Sequence, residues 1–327
     1  MGEYLWYIPN TVEPGHRGDD THDGWGTLDH STELARAVED HGWAGALLGT
    51  GWGRPDTFTV AASLAARTTT FKPLIAIRPG YWHPANFASA SATLDRLSQG
   101  RVLVNIVSGL DDVASYGDGE FDQSRRYERT LEFLQLVRRL WNEEEVTFYG
   151  EHYRVENSSV RPRPWGAEQG HHPLSLIVGR KHQPLEFGLR ITTLVRDTTE
   201  EAWRAAEEKV ARMAQQGSRA HDAFRRRTAV GQQRLLDLVA RGDVLDSCLY
   251  TAPGRYGGGG AGTTWLVGSA EEVADSLRRY RALGVTHFVL SDTPYKQEIA
   301  RVGDGLLPLL TESDRTGHGP VRSEAVR

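Results

Sequence analysis

Short apolar runs alternate with amphipathic segments along the first 142 residues of the chain. The apolar runs have the length of buried strands and lie at 4–8, 44–49, 73–77 and 102–107. The other segments place apolar residues at helical spacing and lie at 29–42, 56–68, 86–100 and 125–141. Asp29 or Ser31 can cap the first helix, and Gly42 can end it. Four strand–helix units in series predict a parallel sheet covered by helices.

The rest of the chain continues with the same kinds of segment after a small insertion. Residues 145–155 alternate around Gly150, which predicts a hairpin. Further strands are predicted at 174–179, 187–196 and 285–291, and further helices at 198–217, after Ser269 and near 295–310. Ser269 and Glu272 have the spacing of a capping box.

This order of elements favours a (β/α) barrel of the TIM type over a doubly wound sheet, because no crossover pattern suggests two halves. We predict one barrel domain over residues 1–311, with a mobile glycine-rich loop at 253–264. The charged tail at 312–327 is predicted to be disordered. In barrels of this kind the reactive groups lie at the carboxyl ends of the strands.

The fourth strand ends in small polar groups, in the sequence RVLVNIVSG of residues 101–109. Asn105, Ser108 and Gly109 would then lie at the reactive face of the barrel. Alternatively, Ser108 and Gly109 only begin a turn. The pattern alone does not separate these two interpretations.

Composition narrows the class of protein. The 327 residues carry a net charge of −5 and no basic face, which excludes a typical nucleic-acid binder. The single cysteine, Cys248, excludes an internal disulfide and fits a reducing compartment. No apolar run approaches membrane-spanning length. We therefore expect a cytoplasmic protein that acts neither on nucleic acid nor in a membrane.

Common catalytic and metal motifs are missing from the sequence. His171 and His172 are adjacent, without further ligands at a suitable spacing, so we expect no metal site. The sequence holds no nucleophile elbow, P-loop or Rossmann fingerprint, because GGGGAG at 257–262 opens no helix. That segment is either a simple mobile loop or a lid over an active site.

The predicted strand ends supply the strongest chemical signal. They are rich in small hydrogen-bonding groups and arginines, and they comprise Asn10, Thr50, Arg78, Asn105 to Gly109, Gly179, Arg180, Arg190 and Ser291 to Thr293. Such a rim suits an anionic ligand with amide edges better than it suits acid–base hydrolysis. Flavin mononucleotide (FMN) fits this description.

Several long segments are recognisable as a family pattern. TLDRLSQGRVLVNIVSG, GDGEFDQSRRYERTLEFLQLVRRLW and VTFYGEHYRVE resemble the central block of the bacterial luciferase-like flavin monooxygenases. FGLRITTLVRDTTEEAW, GGAGTTWLVG and THFVLSDTPYKQEIARVGDGLLPLL continue the similarity in the same order. The resemblance covers almost the whole chain and is greatest to the alkanesulfonate monooxygenase branch.

This resemblance implies a (β/α) barrel, reduced FMN from a separate NAD(P)H-dependent flavin reductase, O2 as co-substrate and a homo-oligomer. By position, Thr50 lies in the cofactor region, and Asn105, Ser108 and Gly109 lie beside the flavin ring or its ribityl chain. Tyr127, Gly179 and Arg180 fall in the family's phosphate region, and Arg190 matches a strand arginine. Candidates for handling substrate and protons are Arg190, Tyr295 and Arg255, with His83 as a weaker one.

A dry pocket is required by this chemistry, because water competes with the substrate for the reactive flavin. Trp6, Trp52, Tyr81 and Trp82 follow or lie within the first three strands and can wall such a pocket. The alternative for each of them is simple packing between helices.

The sequence departs from the sulfonate branch at several polar positions. Thr11, Thr192, Thr293 and Gly258 replace its histidine, histidine, tyrosine and arginine, in that order, and its cysteine is replaced near Arg54. Simple alkanesulfonate desulfonation is therefore not expected. The family also has a βα unit where only residues 180–186 connect two strands here, so the barrel lacks a unit or is completed by another segment or chain. Arg180 and Lys181 either bind phosphate in a different way or form a solvated basic loop.

Three functional hypotheses follow. The first is an FMNH2- and O2-dependent two-component monooxygenase that acts on a small organic substrate. The second is a non-catalytic flavin- or ligand-binding relative with a degenerate barrel. A deazaflavin-dependent oxidoreductase is the third, and it has less support from the sequence.

Overall fold

The computed structural model describes residues 3–11, 24–108, 113–119, 121–166, 187–215, 230–256 and 264–315. The strands are β1 (Glu3–Ile8), β2 (Gly45–Leu48), β3 (Lys72–Ile77), β4 (Leu103–Ile106), β5 (Val146–Tyr149), β6 (Arg154–Ser158), β7 (Phe187–Arg196), β8 (Leu249–Tyr250), β9 (Trp265–Ser269) and β10 (Val285–Ser291). The helices are α1 (Leu28–Asp40), α2 (Thr57–Ala65), α3 (Pro84–Leu97), α4 (Gln123–Asn142), α5 (Thr199–Gln215), α6 (Val230–Arg241), α7 (Ala270–Ala282) and α8 (Tyr295–Arg315).

Eight strands form one sheet in the order β4-β3-β2-β1-β10-β7-β9-β8. All neighbours are parallel except β8, which runs antiparallel to β9. The long strand β7 pairs with β10 through Phe187–Thr192 and with β9 through Thr192–Arg196. Strands β5 and β6 form the separate hairpin that was predicted as an insertion. The α/β class with a parallel central sheet is thus confirmed.

The sheet is open between β4 and β8 as far as the described residues go, because β4 pairs there with β3 alone. The strand predicted at 174–179 lies outside the described residues. So does the connection at 180–186 on which the missing βα unit was inferred. None of the described helices combines the length and the apolar content needed to cross a bilayer.

The two faces of the sheet carry different cores. Tyr4, Trp6 and Ile8 of β1 pack with the helices in the largest buried cluster. The alternate positions belong to a smaller cluster without helical residues, namely Leu5, Leu47, Leu74, Ala76, Leu103 and Val289. This alternation follows from the period of two in a strand. The helix-free face is therefore the inner side of the barrel wall.

Some boundaries differ from the sequence prediction. The cap of α1 is Thr27, whose Oγ1 accepts a hydrogen bond from the His30 N–H at 3.2 Å, so the cap predicted at Asp29 or Ser31 is wrong. Strand β9 and helix α6 were not predicted. Helix α8 runs on to Arg315, into the segment at 312–327 expected to form a tail.

Candidate functional site

The loops after β1 and β2 are joined by a buried amide. Asn10 follows β1, and its Nδ2 donates to the carbonyl oxygens of Gly49 at 3.1 Å and Pro55 at 2.7 Å. Gly49 and Pro55 bracket the loop that leads from β2 to α2. Because the amide satisfies both carbonyls, it fixes both ends of this loop at the carboxyl edge of the sheet.

A cleft of about 740 Å³ opens at the ends of β2 and β3. This volume is in the range of small-molecule sites, about 300–1,000 Å³. It is lined by Thr50, Gly51, Trp52, Gly53, Arg54, Pro55, Asp56, Thr57, Gly80, Tyr81, Trp82, His83, Asn86 and Tyr116. Three of the four aromatics predicted to wall a pocket, Trp52, Tyr81 and Trp82, thus line this cleft. Trp6 does not, because it is fully buried against Trp43 with ring centroids 4.8 Å apart.

Arg190 and Tyr295, two of the predicted catalytic residues, meet at a third side chain that the sequence did not single out. The guanidinium carbon of Arg190 lies 4.1 Å from the ring centroid of Tyr7. The rings of Tyr7 and Tyr295 are 6.1 Å apart. Tyr7 lies on the helix-free face with Leu5, so this cation–π contact faces the inside of the barrel wall.

Tyr7 also connects this group to the cleft. A side-chain carbon added at Gly49 would lie 3.3 Å from the Tyr7 hydroxyl and 3.6 Å from Nη1 of Arg54. The Tyr7 hydroxyl and the Arg54 guanidinium therefore border the same small space beside Gly49. The Arg190–Tyr7–Tyr295 group therefore adjoins the aromatic cleft where Tyr7 and Arg54 approach each other beside Gly49.

The structure describes four of the predicted cofactor residues, Thr50, Asn105, Ser108 and Tyr127, and shows no direct contact between them. Oγ of Ser108 lies 2.9 Å from Oγ1 of Thr130 on α4. Tyr127 precedes Thr130 by one helical turn and is 58% exposed. Asn105 pairs with Ala76 of β3, and Thr50 lines the cleft. Gly109, Gly179 and Arg180 lie outside the described residues, as does the glycine-rich segment at 257–262, and their roles stay predictions.

Arg255 has a different environment from Arg190. Its Nη1 donates to Oδ2 of Asp243 at 3.1 Å, and its Nη2 lies still closer to Oδ1 of the same carboxylate. In the ranges that the structure describes, no contact joins Arg255 to Arg190, Tyr7 or Tyr295. Its catalytic role stays a prediction, and it would require the guanidinium to leave Asp243.

Sequence reasoning missed a buried charge cluster at the ends of β7 and β10. Nζ of Lys209 donates to Oδ1 of Asp292 at 2.7 Å and to the Thr293 carbonyl, and both charged side chains are almost fully buried. Glu298 on α8 pairs with Arg196 at 3.1 Å and Arg301 at 3.2 Å. Lys209 could not be singled out, because one lysine in an amphipathic helix looks like a solvated position.

The Glu298 carboxyl titrates unusually. Burial, and then the negative charge of Asp292, raise its pKa to about 7, against the opposing charges of Arg196, Lys209 and Arg301. The cluster holds the start of α8, and with it Tyr295, against the end of the sheet. It therefore positions a residue of the site without contacting the cleft.

A second, smaller cleft of about 420 Å³ adjoins the first at Gly80 and Tyr81. Its floor holds the largely buried ion pair of Asp118 and Arg129, 2.7 Å apart. Burial raises the pKa of the nearby Tyr153 hydroxyl to about 12, so this group stays protonated at neutral pH. Ligand atoms of Glu128, Glu151 and His152 lie within 4.8 Å of one another. Both carboxylates are exposed and Glu151 already pairs with Arg125, so we assign no metal to them.

Comparison with known proteins identifies the family. A sequence profile described as luciferase-like monooxygenase matches residues 3–177 and 166–287. The chain belongs to this family. These matches do not single out its alkanesulfonate branch.

Solved structures of the family share the fold. A long-chain alkane monooxygenase (LadA) is 14% identical with a TM-score of 0.72, over 96% of this chain and 92% of that one. A riboflavin lyase (RcaE), solved with modified FMN and riboflavin, is 19% identical with a TM-score of 0.70, over 98% and 94%. An F420-dependent secondary alcohol dehydrogenase is 14% identical with a TM-score of 0.62, over 95% and 99%. The fold thus serves both flavin and deazaflavin chemistry.

Proposed function

We propose that the protein is an FMNH2- and O2-dependent two-component monooxygenase. A separate NAD(P)H-dependent flavin reductase would supply the reduced FMN. The substrate is a small organic molecule other than a simple alkanesulfonate. Membership of the luciferase-like monooxygenase family supports the reaction class, and the chemistry of the site supports the finer assignment.

The observation that carries this proposal is the Arg190–Tyr7–Tyr295 group beside the aromatic cleft. One cation and several neutral donors suit an electron-rich, anionic reduced flavin. Asp56 is the only carboxylate among the residues that line the described cleft, and its Oδ1 already accepts hydrogen bonds from Thr59. Hydrolysis by paired acid and base groups would need more titratable groups in the cleft than this one carboxylate.

The residues present suit FMN in number and kind. Thr50, Asn105, Ser108 and Tyr127 would hold it, together with Gly109, Gly179 and Arg180. When bound, reduced FMN supplies the electrons that reduce one atom of O2 to water while the other enters the substrate. Trp52, Tyr81 and Trp82 would exclude water, and Arg190 would hold negative charge near Tyr7.

Two departures from the sulfonate branch support a different substrate. Thr192 is fully buried next to β9, where that branch has a histidine. Thr293 is buried as well, and Tyr295 two residues later is the tyrosine that approaches Tyr7. The Tyr295 hydroxyl, on a ring that approaches Tyr7 as Arg190 does, is therefore the group we assign to proton transfer.

A stopped-flow experiment tests the proposal. The protein is mixed in air with FMN, a flavin reductase and NADH, and the return of oxidised-flavin absorbance is followed. We expect the protein to delay that return, and Arg190→Ala to weaken FMN binding by about tenfold while the melting temperature barely changes. Arg154→Ala is the matched control, because this exposed arginine also lies over a tyrosine ring, at 4.4 Å from Tyr149.

Other outcomes have clear meanings. No affinity for FMN would overturn the proposal, and reaction with reduced F420 alone would place the protein with the deazaflavin enzymes. Tight binding of oxidised FMN without any delay would support the non-catalytic binder. Equal losses of stability and affinity in Arg190→Ala would assign that residue a structural role. The homo-oligomer stays a prediction that sedimentation can test.

A further inference from the structure

The described cleft has one wall made of three aromatic rings. Tyr81 and Tyr116 meet edge to face with centroids 4.5 Å apart. Trp52 contacts Tyr116 at 5.4 Å and Tyr81 at 6.1 Å. These rings pack on one another too closely for a ligand to enter between them, so the wall offers a surface and not a slot. Trp52 is 55% exposed, so part of this wall faces the open cleft.

The guanidinium of Arg54 lies beside this wall and has no counter-charge among the described residues. The Arg54 guanidinium lines the cleft and forms no ion pair or hydrogen bond within the described residues. The nearest acid in sequence, Asp56, is the cap of α2 and accepts from the N–H and hydroxyl of Thr59 at 2.8 Å. Arg54 is thus free to bind a ligand carboxylate or similar anion in a bidentate manner.

The wall and the cation are close to each other and to the proposed reaction centre. Arg54 follows Trp52 by two residues, a backbone span of at most about 7 Å. Nη1 of Arg54 and the Tyr7 hydroxyl border the same space beside Gly49. The Tyr7 ring in turn contacts the Arg190 guanidinium. A ligand on this wall would therefore have its charge near its ring and would lie next to the Arg190–Tyr7–Tyr295 group.

We propose that this cleft binds the substrate, and that the substrate is a planar aromatic or heteroaromatic molecule with one negative charge. The inference rests on the proposed function, because it names the substrate class of the same site. FMN also has a ring and a negative charge, but a flexible chain separates them. Of the described residues assigned to FMN, Thr50 lines the cleft, whereas Asn105, Ser108 and Tyr127 belong to β4, its end and α4 and do not.

Matched small acids test the ring and the charge separately. Benzoate and indole-3-acetate are compared with cyclohexanecarboxylate, which keeps the charge but lacks the planar ring. Benzyl alcohol keeps the ring but lacks the charge. Binding to the full chain is measured by calorimetry and by ligand-observed saturation-transfer NMR, without flavin and with saturating FMN.

We expect the aromatic acids to bind about fivefold tighter than cyclohexanecarboxylate, and Trp52→Leu to abolish that preference. Arg54→Gln should weaken every acid by about tenfold and leave benzyl alcohol unchanged. Tyr149→Leu is the control, because this tyrosine is 62% exposed on the separate hairpin. It should change none of these affinities.

Three results would overturn the inference: no binding of either aromatic acid, equal affinity for benzoate and cyclohexanecarboxylate, or a loss of FMN affinity in Trp52→Leu as large as the loss for the acids. The last result would make the cleft the flavin site. Delayed flavin reoxidation with no ring preference would refute the substrate class alone. Ring preference without delayed reoxidation would refute the proposed function and leave the cleft as a binding site for aromatic anions.

Discussion

The carboxyl ends of β2 and β3 differ in chemistry from those of β7 and β10, although all four belong to one sheet. The first pair ends in an open cleft with aromatic walls and one arginine, Arg54, that has no ion pair among the described residues. The second pair ends in a sealed cluster of buried charges around Lys209, Asp292 and Glu298. The comparison indicates a division of roles, in which one part of the edge contacts ligand while the other holds α8 and Tyr295 in place.

The largest effect is expected from breaking the sealed cluster. Lys209→Met leaves Asp292 buried without its cation, which should lower the free energy of unfolding by about 3–5 kcal/mol at pH 7. Urea denaturation measures this loss. In Lys209→Met/Asp292→Leu no buried charge of the pair remains, so much of the stability should return. The exposed pair of Arg154 and Glu156 is the control, and Arg154→Met should cost less than about 1 kcal/mol. Similar small losses in both pairs would contradict the division of roles.

A moderate effect is expected at Gly80, which lines the cleft and lies against the ion pair of Asp118 and Arg129. A side-chain carbon at Gly80 would overlap Oδ2 of Asp118 and lie 3.0 Å from Nη2 of Arg129. Gly80→Ala should therefore destabilise the protein by about 2 kcal/mol through displacement of that pair. Gly305→Ala in α8 has nothing within 4 Å and should stabilise by about 0.5–1 kcal/mol. Thermal unfolding of the two variants compares them, and an unchanged Gly80→Ala protein would show that the loop yields freely.

The free energy of unfolding should depend on pH through the sealed cluster, because Glu298 belongs to it. Burial raises the pKa of Glu298 from 4.5 to about 7, so the folded state binds the proton more tightly than the unfolded state. The stabilisation from that proton is complete below about pH 4.5 and is lost as the pH rises through about 7. Glu298→Gln removes this titration, and it should flatten the stability change between pH 5 and pH 8 by on the order of 1 kcal/mol. Parallel pH profiles for the wild type and Glu298→Gln would refute this.

The smallest effect concerns Ser108 and decides between the two interpretations of NIVSG. Ser108→Ala removes the hydrogen bond to Thr130 and should cost about 0.5–1 kcal/mol of stability. If Ser108 contacts flavin, FMN affinity should also fall by several-fold. Thr130→Val is the control, because it removes the same hydrogen bond, together with the one from Thr130 Oγ1 to the Arg126 carbonyl, and keeps the Ser108 hydroxyl. Equal FMN affinity in both variants would mean that Ser108 only begins a turn.

Much of the fold could be predicted from the sequence because its strands and helices have simple periods. The runs at 4–8 and 73–77 match β1 and β3 closely, and the helix-forming segments follow them at regular intervals. Strand β9 was missed because it follows a glycine-rich stretch and is only five residues long. The cap of α1 was misplaced because several residues near its start can cap a helix, and only the backbone conformation at Thr27 decides among them.

The candidate site was predicted less completely than the fold. Arg190 and Tyr295 lie on separate elements, and no motif indicates that Tyr7 contacts both of them. An aromatic position within or just after a strand could not separate Trp6, which is core, from Trp52, which is exposed. Side-chain direction decides these cases, and it depends on which face of the strand or loop a residue occupies.

Asn10 allows the amino-acid sequence of the loop after β2 to vary while the two ends of the loop stay in place. Since one amide holds the carbonyls of Gly49 and Pro55, the three side chains of Thr50, Trp52 and Arg54 and the two glycines at 51 and 53 can be exchanged between two anchored ends. New ligand specificities can then arise, by natural mutation or by design, through replacement of this short loop segment while its ends keep their contacts with Asn10.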